Sequence, residues 1–198
     1  MEDFLEITKD WWFKKYAPHL GMRLWTFKTA LNLILQLGGD SIVETGCIRQ
    51  VDDYKAGYST FVFGEFCQKY KKRLHTIDNS KVNLDFAKKY TKEFERNIEY
   101  ILGDSVSVLK TWDTPIDLLY LDSLDCDQNN EAISKKAQEH CLLELKTAFP
   151  NLTRNAIVMI DDNYFENGGK TRLAKEFLRE KGFICLLDYY QTLWIRAK

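Results

Sequence analysis

From residue 41 onward, short β-branched or wholly apolar runs alternate with stretches of helical period, and most of these runs stop on an acid or a glycine. SIVET (41–45), RLHTID (73–78), IEYILG (98–103), IDLLYLD (116–122) and AIVMIDD (156–162) read as strands. Between them lie helix patterns: YSTFVFGEFCQKY (58–70), VNLDFAKKYTKEF (82–94), a short helix from Ser105 to about Trp112, EAISKKAQEHCLLELKTAF (131–149) and KTRLAKEFLREKG (170–182). In 131–149 the helical spacing is carried by Ile133, Ala137, Cys141, Leu145 and Ala148. Parallel strands need crossovers of about this length, so the alternation predicts an α/β, doubly wound, mostly parallel sheet. FICLLDYYQTLWIRAK, residues 183–198, reads as two strands turning near Asp188. Their connection is too short for a crossover, so the seven-stranded sheet should end on an antiparallel strand.

Two helices precede the alternation. EDFLEITKDWWFKKYA (2–17) is polar with apolar positions Phe4, Leu5, Trp11, Trp12 and Tyr16, and LWTFKTALNLILQL (24–37) is apolar around most of its circumference. The 198 residues, 45% of them hydrophobic, suit one domain: residues 1–39 as helices packing on or capping a core formed by 40–198. A net charge of −1 prepares no surface for nucleic acid, and no apolar run approaches a membrane span. The basic run KYKKR (69–73) reads as the solvated end of a helix. Five scattered cysteines without a CxxC pair suggest reduced thiols in a cytoplasmic protein.

Ligands of doubly wound sheets sit at the carboxyl ends of the strands. Six acids fall there: Glu44, Asp78, Asp104, Asp122, Asp161 and Asp162. Glu44-Thr45-Gly46 marks the first strand–helix turn, where a glycine allows close backbone approach and Ser59/Thr60 can meet an anion at a helix start. No GxGxxG occurs, which argues against a pyrophosphate and against a nicotinamide oxidoreductase. A ligand with an amino-acid carboxylate and ammonium fits better. Asp78 is placed to accept hydrogen bonds from both hydroxyls of a ribose, and Gly103-Asp104-Ser105 suits the edge of an adenine or a plain helix cap. Asp122 and Asp162-Asn163 follow strands expected to be neighbours, so three oxygen ligands converge in a manner that suits Mg²⁺ or a similar hard divalent ion.

In their order and spacing, VETG…GYST, HTIDNS, LGDS and DLLYLD resemble the class I S-adenosylmethionine-dependent methyltransferases, from about residue 40 to the C-terminus. The resemblance implies S-adenosylmethionine as cofactor, contacted by Glu44, Gly46, Ser59, Asp78, Asp104 and Ser105. The acids further resemble the catechol and caffeoyl-coenzyme A O-methyltransferases, whose metal ligands map to Asp122, Asp162 and Asn163. IDDN…GGKTRLAKEFL also looks like the macrocin-type enzymes, in which Asp161-Asp162 would be the pair. Two departures stand out. The residues CIRQVDDYKA (47–56) separate Gly46 from Gly57, as a flap over the cofactor or a passive surface loop. The lysine that assists in the catechol-type pattern is replaced here by Asp125. Catalytic candidates are therefore Asp122, Asp125 and His140, the last of which also reads as a satisfied, partly buried histidine.

The implied activity is metal-assisted methyl transfer to a small hydroxylated acceptor. The alternative is a catalytically inactive cofactor-binding or regulatory module of the same fold. Trp11, Trp12, Phe13 and Trp25 could close over an acceptor, dock the first helices or form a homodimer contact.

Overall fold

Alternate side chains of each central strand enter different cores, and this divides the helices between two faces of the sheet. The computed structural model describes residues 9–52, 54 and 58–197. Its strands are β1 (Ser41–Thr45), β2 (Arg73–Asp78), β3 (Ile98–Leu102), β4 (Ile116–Leu121), β5 (Leu152–Ile160), β6 (Phe183–Asp188) and β7 (Thr192–Arg196). The sheet order is β3-β2-β1-β4-β5-β7-β6, with β7 antiparallel to both neighbours and the first five strands parallel. The doubly wound, seven-stranded expectation is met.

One face carries α1 (Lys9–Lys15), α2 (Leu24–Gln36), α3 (Ser59–Tyr70) and α4 (Lys81–Tyr90), packed on Ile42, Leu118, Tyr120, Ile157 and Met159. The other carries α5 (Ser105–Lys110), α6 (Glu131–Ala148) and α7 (Arg172–Glu180), packed on Val43, Leu119, Leu121, Val158 and Ile160. This inside-both-ways burial is why the strands read as continuous apolar runs. Trp12 and Tyr16 join the first core, fully buried, and Lys15 reaches Glu65 at 2.6 Å while the Tyr16 hydroxyl donates to the same carboxylate. Trp25 and Phe13 stay exposed and meet edge to face at 6.0 Å.

Two boundaries differ from the sequence reading by four residues. The helix expected over 82–94 ends at Tyr90, and a 3-10 segment, Lys92–Asn97, follows. Thr91 turns its hydroxyl onto the Ala87 carbonyl, while the i, i+4 recurrence of Phe86, Tyr90 and Phe94 disguises the break. β5 begins at Leu152 because Thr153, Arg154 and Asn155 are polar strand residues, and the register shifts between Ile116 and Leu118. The expected helix start at residue 2 and Gly57 lie outside the described residues.

Candidate active site

Parallel register aligns the strand ends. Thr45 pairs with Ile77 and Leu121, and Leu121 pairs with Ile160, so the residues that follow (Gly46, Asp78, Asp122 and Asp161) form one line. The ladder continues one step past the strands, through Gly46 N–H to the Ile77 carbonyl (2.8 Å), Asp122 N–H to Thr45 (3.0 Å) and Asp161 N–H to Leu121 (3.2 Å). Gly46 has φ +82°, and a Cβ there would lie 2.3 Å from the Asp122 carbonyl oxygen. Gly46→Ala is therefore expected to lower stability by about 2–3 kcal/mol, read as a lower urea midpoint at unchanged slope.

Beyond this line opens a cavity of about 370 Å³, within the range of small-ligand sites. Gly46, Ser59, Asp78, Asp104, Ser105, Asp122, Asp125 and His140 all line it. Asp78 is held facing it by the Ser80 N–H (2.7 Å), the Asn83 amide (3.3 Å) and the Cys47 thiol (3.3 Å). Burial, then Asp78 and Glu44, push the Cys47 thiol up, which keeps it a donor. Asp104 caps α5 by accepting from the Ser107 N–H (2.9 Å) and hydroxyl (2.8 Å), and these bonds hold its carboxyl below the usual range. The Ser105 hydroxyl lies 3.2 Å from His140 Nε2, itself 3.4 Å from the buried Glu144. The hydrogen bond to Glu144 raises His140 above its ordinary value, against burial. Both contacts use the same ring nitrogen, so this is no nucleophile–histidine–acid relay.

Glu44 lies behind the cavity wall, fully buried, and takes the Ser59 hydroxyl that the sequence reading offered to an anion. Burial pushes its carboxyl up to about 7, against the hydroxyls of Ser59, Thr60 and Thr76. Three of the described residues after Gly46 make contacts to the rest of the chain. Ile48 N–H meets the Thr60 hydroxyl (2.9 Å), Tyr54 stacks on His19 (4.2 Å), and Arg49, which lines the cavity, pairs with Asp125 (3.0 Å).

Asp122 and Asp125 line the cavity, and Asp162 lies beside them. Among the described residues, Asp122, Asp125 and Asp162 bring carboxylate oxygens within 4.8 Å of one another. Asn163, expected to be a metal ligand, has its side chain engaged elsewhere. Its amide donates to Asp188 (2.8 Å) and the Tyr189 carbonyl, and its oxygen accepts from Thr171. The reason is local: Asp162 has φ +50°, and this turn sends the next side chain towards the β6–β7 connection.

Lys170 was missed by the sequence reading. Its Nζ lies 2.8 Å from Asp122 and 3.4 Å from Asp162, with the side chain 1% exposed. Burial opposes its charge, but Asp122, Asp162 and Asp161 more than offset this and hold the ammonium above the usual lysine range. The ligand set Asp122, Asp162 and Asn163 thus does not fit a divalent ion, since one member faces away and an ammonium occupies the gap between the others. One signal was available. A lysine opening a helix pattern directly after Gly168-Gly169 sits against the helix dipole, which favours acids there.

Arg23 was also missed. It forks onto Asp161 through Nε (3.1 Å to each oxygen) and Nη2 (2.8 Å), and stacks 4.4 Å over the Tyr190 ring. Burial raises the Asp161 carboxyl, but Arg23, with Lys170, more than offsets this and leaves it below the usual range.

A family described as a methyltransferase domain matches residues 54–163, more than half of the chain. The chain belongs to this methyltransferase family. Its strand order and reversed last strand are those of the class I S-adenosylmethionine-dependent methyltransferases. No curated protein matches its sequence. Among solved structures, the S-adenosylhomocysteine-bound methyltransferase PaMTH1 of Podospora anserina is 15% identical, with a TM-score of 0.65 over 96% of this chain and 85% of that one. The O-methyltransferase of Bacillus cereus, also complexed with S-adenosylhomocysteine, is 16% identical, with a TM-score of 0.61 over 97% and 93%. The O-methyltransferase NovP is 12% identical, with a TM-score of 0.67 over 89% and 80%. At these identities the likeness is one of fold. Among the described residues, no helix of this methyltransferase is long and apolar enough to cross a membrane.

Proposed function

We propose that this methyltransferase transfers the methyl group of S-adenosylmethionine to a hydroxyl oxygen of a small acceptor. The observation that carries the reading is the cavity's two-sided lining. In sheet order, the ends of β3, β2 and β1 bring Asp104, Ser105, Asp78 and Gly46 to it, and the end of β4 brings Asp122, next to Gly46, and Asp125. The first side suits the cofactor, with Asp78 for the ribose hydroxyls, Gly46 for close backbone approach, and Asp104 and Ser105 for the adenine edge. Ser59 lines this part of the cavity and Glu44 supports it from behind. The second side suits an acceptor hydroxyl, whose proton must leave as the methyl group arrives. Asp122 and Asp125 face that position, and His140 lies on the cofactor side beside Ser105. O-methyltransferases among the structural relatives support oxygen as the acceptor atom.

Calorimetry tests the cofactor half. The wild type should bind S-adenosylmethionine and S-adenosylhomocysteine, and Asp78→Ala should weaken both by about 1.5–3 kcal/mol, the worth of hydrogen bonds to a charged group. Full affinity in that variant would reject the assignment of Asp78. A panel of catechols, hydroxycinnamates and sugars tests the acceptor half. Methylated oxygen in the product supports it, and transfer confined to amines or thiols rejects it.

A further inference from the structure

We propose that the Lys170 ammonium is the resident cation of the acid cluster, standing where the acids would otherwise hold a divalent ion, and that the methyl transfer inferred above needs no metal. The proposal rests on that functional reading for its last clause only.

Of the four carboxylate oxygens of Asp122 and Asp162, three accept a hydrogen bond and the fourth faces the Lys170 ammonium, while Asp125, the third acid of the group, pairs with Arg49. Asp122 takes Lys170 Nζ on Oδ1 (2.8 Å) and the Tyr120 hydroxyl on Oδ2 (3.2 Å). Asp162 takes the Tyr190 hydroxyl on Oδ1 (3.0 Å) and faces Lys170 with Oδ2 (3.4 Å). The remaining buried acid, Asp161, has its own fork from Arg23. A magnesium ion needs ligand oxygens at about 2.0–2.1 Å. An ion bridging Asp122 and Asp162 would sit beside the ammonium that already bridges them, and two cations confined there would repel each other strongly.

The lysine is placed by its backbone and not by a flexible reach from the surface. Its N–H donates to the Asp162 carbonyl (2.9 Å). Gly169, at φ +56°, passes so close that a Cβ would lie 2.0 Å from that same oxygen. Thr171 then secures Asn163 through its amide oxygen. Residues 162–171 thus form one connection that carries Asp162 and the counter-ion, and the ammonium reaches from it to Asp122 at the end of β4. Lys170 is a positioning residue: it holds Asp122 and Asp162 together against their mutual repulsion, and Asp122 faces the cavity.

The test is a Mn²⁺ titration followed by electron paramagnetic resonance, on wild type, Lys170→Ala, Lys170→Met and Lys170→Arg. Calorimetry with S-adenosylhomocysteine runs on the same samples. The wild type and Lys170→Arg should bind no Mn²⁺ up to millimolar concentration. Lys170→Ala or Lys170→Met, whichever folds, should gain binding at least about tenfold tighter as the acids lose their internal cation. Wild-type turnover should be unchanged by chelator. Tight Mn²⁺ binding by the wild type would overturn the proposal, as would a folded Lys170→Ala that binds no better than wild type. Loss of turnover on chelation would do the same. If neither uncharged variant folds, the wild-type titration alone decides. A wild type that binds no S-adenosylhomocysteine rejects the functional reading instead, and leaves the Mn²⁺ result to judge the lysine.

Discussion

Replacing Arg23 by alanine is expected to destabilise the fold by about 3–5 kcal/mol, the loss that follows when one partner of a buried ion pair is removed and the other is left uncompensated. Asp161 is the partner left behind, with its side chain 2% exposed, and it accepts from Arg23 on both oxygens. The dependence on pH separates this account from lost packing. In the wild type the Asp161 carboxyl lies below its usual value, so its contribution is present above the unfolded pKa and fades as pH falls through the folded one. In Arg23→Ala burial dominates and the carboxyl rises. The variant then regains stability in acid, and the gap to wild type should narrow between about pH 7 and about pH 4.5. Urea midpoints at the two pH values check this, and a gap of constant size would mean that only packing was lost. Arg23→Lys should recover part of the loss, since the charge returns without the fork.

Glu44→Gln is expected to remove a pH-dependent weakness of the unliganded protein. The Glu44 carboxyl, pushed up to about 7 by burial, prefers its neutral form in the fold. Stability is therefore highest below the unfolded pKa and is lost as pH rises through the folded one. The displacement from the usual glutamate value corresponds to about 3 kcal/mol between about pH 4 and about pH 8. Glutamine keeps an oxygen for the Ser59 hydroxyl and cannot ionise, so its stability should vary less by that amount over the same range. Equal slopes for the two proteins in urea titrations would show that Glu44 is ionised throughout.

The sheet and its ligand side were legible because both are written locally. Two-sided burial makes β1, β4 and the end of β5 read as unbroken apolar runs, and the acids that follow mark the carboxyl ends. The positions of Asp78, Asp104, Asp122 and Asp162 needed only strand order and parallel register. What the acids hold was not legible. Arg23 meets Asp161 across 138 residues, and Tyr190 meets Asp162 across 28, through packing that no window of sequence contains. The direction of the Asn163 side chain was not legible because a parallel sheet predicts which strand ends are neighbours but not which way a side chain points once the chain has left the strand. The left-handed turn at Asp162 decided that. Lys170 had a local signal, its unfavourable place at a helix start, and this was outweighed by the amphipathic pattern of the segment that follows.

The order β5-β7-β6 has a consequence for the chain as it leaves the ribosome. β6 is made before β7, yet β7 is the strand that lies against β5, with β6 outside it. Until residues 192–196 have emerged, the edge of β5 offers its peptide groups to any extended segment, its own or a neighbour's. The same connection brings Tyr190 to Asp162 and Gln191 to the Tyr120 hydroxyl, so closing the sheet and completing the acid wall are one event. A nascent chain halted between β5 and β7 would already carry the strands of the cofactor side, but with an open edge and an unfinished acceptor side. Chaperone dependence and aggregation should therefore peak in that narrow interval of synthesis and end when β7 inserts.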